Sequence, residues 1–298
     1  MAEFVPQTLP LQSSTEIAPG ISQAIGRAAI RALYGELAFY PKPGLVSPVD
    51  NGAHSDMTMA TFMRSLFSLR TYFPAIASAG AAGAEFPVLR DLGIEAERRM
   101  MAATGGINTH RGAIFNLGLL AASAGRHAAD GLRLDANSIC LAIPDLWGRA
   151  ILGATPAQPH SNGLKATANH GGPGAREEAA AGYPVLRMVA LPALQQARAR
   201  GLGEDACLAE TFFAILAVLN DTNILHRAGR DGLDFVQRES RAWLDRGGAG
   251  HPSWFTSAVR LHRAFCDRRI SPGGAADLLS CTLFLDGLEA LADRQGVQ

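Results

Sequence analysis

The chain has 298 residues, 48% hydrophobic and 18% charged, with 27 basic and 27 acidic side chains. That apolar content supports a real core and excludes a disordered chain, and the balanced charge excludes a general nucleic-acid or membrane-surface binder. An anionic ligand must then be held by local arginines, because Lys42 and Lys165 are the two lysines.

The elements read as helices from the N-terminus onward. Residues 1–15 are expected to form a flexible arm; MAEFVPQTLPLQSSTE lacks a basic region followed by an apolar core, so no signal peptide is expected. Pro19 suits a first helical turn, and Ile21, Ile25, Ala28, Ala29, Ala32, Leu33 and Leu37 recur at helical spacing. This helix should stop before Pro41, since a proline disfavours helix in the residue before it. A polar loop follows over 41–57, then a helix over 58–79 with Phe62, Leu66, Leu69 and Phe73 on one face.

A helix over 87–103 leads into Thr104-Gly-Gly-Ile-Asn-Thr-His-Arg111, and the next is expected to end near Ala124, with Gly125 as its stop. Residues 135–153 read as helix interrupted at Pro144, and 154–173 as a long loop. Further helices are expected over 174–182, 185–200, 204–220, 231–246, 252–268 and 272–293. Alternating Val/Ile/Thr runs are nearly absent, so the fold class expected is all-α. The expected architecture is a single-domain multi-helix bundle over 16–298, with its site at helix ends and connecting loops. Cys140, Cys207, Cys266 and Cys281 sit in apolar stretches without a C-x-x-C pair, which points to reduced thiols and a cytoplasmic location. No stretch is long and apolar enough to be read as a membrane span. Apolar helix faces make a homodimer possible.

Chemistry-bearing residues gather in four groups. The loop holds Lys42, Asp50, Asn51, His54 and Asp56, close in sequence to Glu36; its acids and imidazole can hold a divalent cation, orient a sugar hydroxyl, or simply serve turns. The Thr104 stretch reads as a Gly-Gly step into a helix start. There free amides and the helix dipole favour an anion, and Arg111 adds a planar donor fork. The same residues also suit a plain helix capped by Asn108 or Thr109. The third group is His170-Gly-Gly-Pro-Gly-Ala-Arg176-Glu177-Glu178, and the fourth is Asn220-Asp221-Thr222-Asn223 through Arg227, where Asn223 and Arg227 share a helix face. His and Cys do not cluster as zinc ligands; scattered acids suit Mg²⁺, which binds through a few carboxylates and substrate phosphates.

Taken in order, six motifs resemble the triphosphoribosyl-dephospho-CoA synthase family. They are Pro41-Lys-Pro-Gly-Leu-Val46, Asp50-Asn-Gly-x-His54-x-Asp-Met57, Thr104 to Ile114, Arg176-x-Glu178 before Gly182-Tyr-Pro184, Asp221-Thr-Asn-x-x-His-Arg227, and Ser271-Pro-Gly-Gly-x-Ala-Asp277. The resemblance covers residues 20–293. It implies transfer of the triphosphoribosyl group of ATP to 3'-dephospho-CoA with loss of adenine, with Mg²⁺ as cofactor. The product would pass to a transferase acting on the acyl-carrier protein of malonate decarboxylase or citrate lyase, the former favoured.

The implied site assigns Lys42, Arg111 and Arg227 to phosphates and Asp50, Asp56 and Asp221 to Mg²⁺ or ribose. Glu178 or Glu36 is the implied base, and His110 the acid or donor at the departing base. Asn51, His54, Gly105, Gly106, Asn108, Arg176, Asn223 and His226 complete the substrate contacts. The competing readings are a Mg²⁺-dependent helical N-glycoside or nucleotide hydrolase and a non-catalytic nucleotide-binding assembly factor.

Overall fold

Helix α5 (Arg111–Ala129) runs through the middle of the molecule, and its sequence explains why. Leu117, Leu120, Ala121, Ala122 and Ala124 are fully buried, and the small residues let neighbours approach on several sides at once. The computed structural model describes residues 19–154 and 172–295. The 1–15 arm and most of the 154–173 loop, with His160 and His170, lie outside them.

Around α5 pack α1 (Pro19–Ala38), α3 (Tyr72–Ala81), α4 (Phe86–Thr104), α6 (Ala136–Ile143) and α13 (Gly273–Gln295). A second group holds α9 (Leu191–Ala199), α10 (Glu204–Val218), α11 (Thr222–Asp245) and α12 (Trp254–Asp267). The stacked rings of Phe213 and Trp243, 4.0 Å apart, join α10 to α11. Short helices α2 (Met59–Ser68), α7 (Arg149–Gly153) and α8 (Ala175–Ala180) complete the set, and the fold is all-α among the described residues. None of these helices alone is long and apolar enough to cross a membrane. Cys140, Cys207 and Cys281 are buried, as their apolar surroundings imply, and Cys266 is half-buried.

Most expected helices appear within a residue or two. Four readings change. The helix expected over 58–79 is two, broken at Leu69–Thr71. Pro74 has no amide to bond the carbonyl four residues back, so the chain turns there and α3 starts afresh. Gly125 does not stop α5, which continues to Ala129. A Cβ on Gly125 would lie 2.0 Å from the Ala77 carbonyl oxygen, and one on Gly80 would lie 2.0 Å from that of Ala122. The two glycines let α3 and α5 cross backbone to backbone.

The helix expected from 231 begins instead at Thr222, capped by Asp221, and bends at Gly229 where φ is 64°. Finally, Gly105 and Gly106 do not open a helix. They close α4 with φ of 69° and 89°, and the Gly106 amide donates to the Met101 carbonyl. The segments 144–148 and 186–190 widen into π-helical turns, the first of them opening on Pro144, so Pro144 interrupts the helix without ending it.

Candidate active site

A cavity of about 500 Å³ opens where α4, the start of α5, the 173–178 turn, the 218–223 turn and the start of α13 converge. That size suits a small-molecule ligand. Its lining includes apolar Phe86, Leu89, Ile94, Phe115 and Leu119. It also includes polar Glu97, Asn108, Arg111, Glu178, Asn223 and Asp277.

Arg111 sits in the first turn of α5. Its guanidinium meets the Glu97 carboxylate through Nε at 2.7 Å and Nη2 at 2.6 Å. Asn108 Oδ1 accepts the Arg111 amide, so Asn108 supplies a cap and His110 does not. Glu178 Oε1 accepts the Val185 amide, and burial raises its pKa against the pull of that bond and of Arg187. A carboxyl with a raised pKa, facing a cleft, has the character of a general base or acid.

Two further sequence candidates line the cleft with their polar groups already engaged. Arg176 turns its guanidinium onto the carbonyls of Ile151, Leu152 and Ala154, satisfying the end of α7. Asp221 is buried with both oxygens on backbone amides: Oδ1 accepts Asn223 and Ile224, and Oδ2 accepts Ala275. It caps α11 and reaches α13, so the expected metal carboxylate is a structural joint between two helix starts.

Other candidates lie outside the cleft lining. Lys42, expected to reach a phosphate, is 1% exposed and bonds Glu36 Oε1 at 2.5 Å and the Glu36 carbonyl at 2.7 Å. Glu36, expected as a base, is therefore the partner of a buried ion pair. Burial raises its pKa and lowers that of Lys42, and the attraction between them opposes both shifts. His110, expected as an acid, is buried behind α5. Its Nδ1 is 2.6 Å from Ser65 Oγ, and among the described residues its Nε2 has no hydrogen-bond partner. Burial, with Lys42 nearby, pushes its pKa down to about 3, so at neutral pH it is the neutral imidazole and not an imidazolium acid.

The 41–57 loop is folded against α12 and the turn before α13. Asp50 Oδ1 accepts the Gly52 amide, and Oδ2 is 3.0 Å from His262 Nε2. His54 Nε2 meets Ser271 Oγ at 2.7 Å, and its Nδ1 lies 3.4 Å from Asp56. Arg227 donates to the carbonyls of Arg269 and Ala53. These groups fasten the loop to α11, α12 and the turn before α13; Asn51 and His226 are exposed beside it. Gly105 and Gly106 are exposed at the α4 terminus.

The sequence reading passed over Asp277, which it took as part of a helix opening, and Glu97, the partner of Arg111. It also passed over Gly112, whose bare Cα faces Asp277. Spacing offers one signal for Asp277: it lies one turn into the helix opened by Ser271-Pro-Gly-Gly.

A model of the ATP:dephospho-CoA triphosphoribosyl transferase family matches residues 22–295. The chain belongs to this family. The transferase is 40% identical over 278 residues to a probable 2-(5''-triphosphoribosyl)-3'-dephosphocoenzyme-A synthase of Azotobacter vinelandii, covering 92% of this chain and 94% of the relative. It is 39% identical over 269 residues to the 2-(5''-triphosphoribosyl)-3'-dephosphocoenzyme-A synthase of Klebsiella pneumoniae, covering 88% and 93%. No solved structure matches it. The family read from six ordered motifs is thus the family found.

The transferase does not present a ready cage for Mg²⁺. Among the described residues no three His, Cys, Asp or Glu side chains converge as metal ligands. Asp221 spends its oxygens on amides, and Asp50 and Asp56 lie on the loop outside the cleft lining. The three acids expected to share a metal do not fit one.

Proposed function

We propose that the protein transfers the 5'-triphosphoribosyl group of ATP to the 2'-hydroxyl of 3'-dephospho-CoA, releasing adenine. The observation that carries this reading is the cleft itself: one cavity brings apolar side chains together with the acids Glu97, Glu178 and Asp277 and with Arg111. Departure of adenine builds positive charge on the ribose, which nearby carboxylates stabilise. Glu178 and Asp277 face that space. Glu178 takes the proton of the attacking hydroxyl, and a base so placed is worth roughly 10²–10⁴-fold.

Arg111, already oriented by Glu97 and Asn108, is the proposed phosphate contact, with Asn223 across the cleft. The apolar side chains of the lining take the pantetheine chain of dephospho-CoA. Mg²⁺ is proposed to enter with ATP as counter-ion to the triphosphate, as part of the substrate. The product serves as prosthetic-group precursor for the acyl-carrier subunit of malonate decarboxylase, or of citrate lyase, by way of a second transferase.

One experiment tests the reading. The protein is incubated with ATP and Mg²⁺, with and without dephospho-CoA, and the products are separated chromatographically. Adenine released only with dephospho-CoA is the expected result. Adenine or phosphate released without it would make the protein a hydrolase, and no turnover would leave a binding protein.

A further inference from the structure

Asp277 on α13 feels the charges of two other carboxyl groups, Glu36 on α1 and Asp221 before α11. Both of these are committed, Glu36 to Lys42 and Asp221 to backbone amides. Asp277 differs. It lines the cleft, and the amide of Ala113 in the first turn of α5 bonds it. Among the described residues no side chain donates to it.

Its place depends on the residue opposite. A Cβ on Gly112 would lie 1.9 Å from Asp277 Oδ2, so only a bare Cα at 112 admits the carboxyl to the start of α5. The geometry thus holds the Asp277 carboxyl against the first turn of α5, on the wall of the cavity.

We propose that Asp277 is the proton donor to the departing adenine, an assignment that rests on the transferase reading above. The Asp277 O–H bond breaks and an N–H bond forms on a purine ring nitrogen as the bond from ribose C1' to the base breaks. A new bond joins C1' to the 2'-oxygen of dephospho-CoA, whose proton passes to Glu178. Return of that proton through solvent restores both carboxyls.

The surroundings favour the protonated form of Asp277. Burial acts first, then the charges of Glu36 and Asp221, and together they raise its pKa well above its ordinary value. The opposing cations are taken: Lys42 faces Glu36 and Arg111 faces Glu97, while Cys281, one turn along α13, is itself held as the thiol. A neutral acid in an enclosed site is the form a leaving base requires.

The test compares ATP with its N7-methylated analogue, whose attached base already carries the positive charge that protonation would provide and departs as a neutral base. In the full-length protein, Asp277→Asn should lower kcat for ATP by roughly 10²–10⁴-fold with KM for ATP little changed. The same variant should keep turnover of the methylated analogue within about tenfold of the parent protein. Asp277→Glu should recover part of the ATP activity. Equal losses on both substrates, or no loss on ATP, would overturn the proposal. Should Asp277→Asn fail to fold, Gly112→Ala displaces the carboxyl without removing it and is read by the same two criteria. A parent protein that releases no adenine with dephospho-CoA would instead sink the transferase reading, so the two failures are distinct.

Discussion

Replacing Lys42 by Met separates a structural role from a phosphate-binding one. The substitution keeps most of the aliphatic stem and removes the charge, leaving Glu36 alone at 5% exposure. Breaking a buried pair from one side costs about 3–5 kcal/mol. Glu36 has an escape, which is to take up a proton. From its ordinary value of 4.5, that uptake costs about 3.4 kcal/mol at pH 7 and about 1.4 at pH 5.5. The lone Glu36 has a raised folded-state pKa, so its penalty is absent below the unfolded value and grows as pH rises. Lys42→Met should therefore lose about 3 kcal/mol at pH 7 and about half that or less at pH 5.5. Urea denaturation followed by far-UV circular dichroism at the two pH values measures this. Glu36→Gln combined with Lys42→Met should recover much of the loss, because no buried charge remains. A loss below about 1 kcal/mol at both pH values, together with a large rise in KM for ATP, would refute the argument and return Lys42 to the phosphates.

Other expectations follow from the same geometry. Gly125→Ala drives a Cβ to 2.0 Å from the Ala77 carbonyl oxygen. Overpacking costs roughly 1–3 kcal/mol and alanine's better helix propensity offsets about 1, so a net loss is expected in denaturant unfolding; an unchanged midpoint would mean α3 and α5 part freely. His110, held near 3 in the fold against an ordinary 6.5, gains a proton on unfolding, so it destabilises the protein as pH falls below 6.5. At pH 5 this amounts to about 2 kcal/mol, and His110→Gln should show a correspondingly flatter loss of stability between pH 7 and 5. Glu178→Gln should lower adenine release by roughly 10²–10⁴-fold while leaving the unfolding midpoint nearly unchanged; a wild-type rate would remove Glu178 as the base. EDTA should abolish turnover yet leave the melting temperature of the ligand-free protein unaltered, and a metal-dependent melting temperature would reveal a resident ion.

Helical periodicity, proline positions and the lack of strand patterns were enough to read an all-α fold and most helix spans, because these signals act within a few residues. The order of six polar motifs was enough to read the family. Partnership was not legible. Lys42 and Glu36 carry the residue types of a phosphate site and a base, but six residues of turning chain place them against each other in the core. Asp221 has the type of a metal ligand, yet two helix starts converge on its carboxylate. Arg176 has the type of a phosphate anchor, and the end of α7 takes its donors. Gly125 has the type of a helix stop, and a crossing helix uses it for close approach. Local sequence determined which segments became helices and which residues were chemically capable. Only the tertiary structure decided which of those residues keep a free oxygen or nitrogen facing the cleft, because that depends on what a neighbour distant in sequence has already claimed.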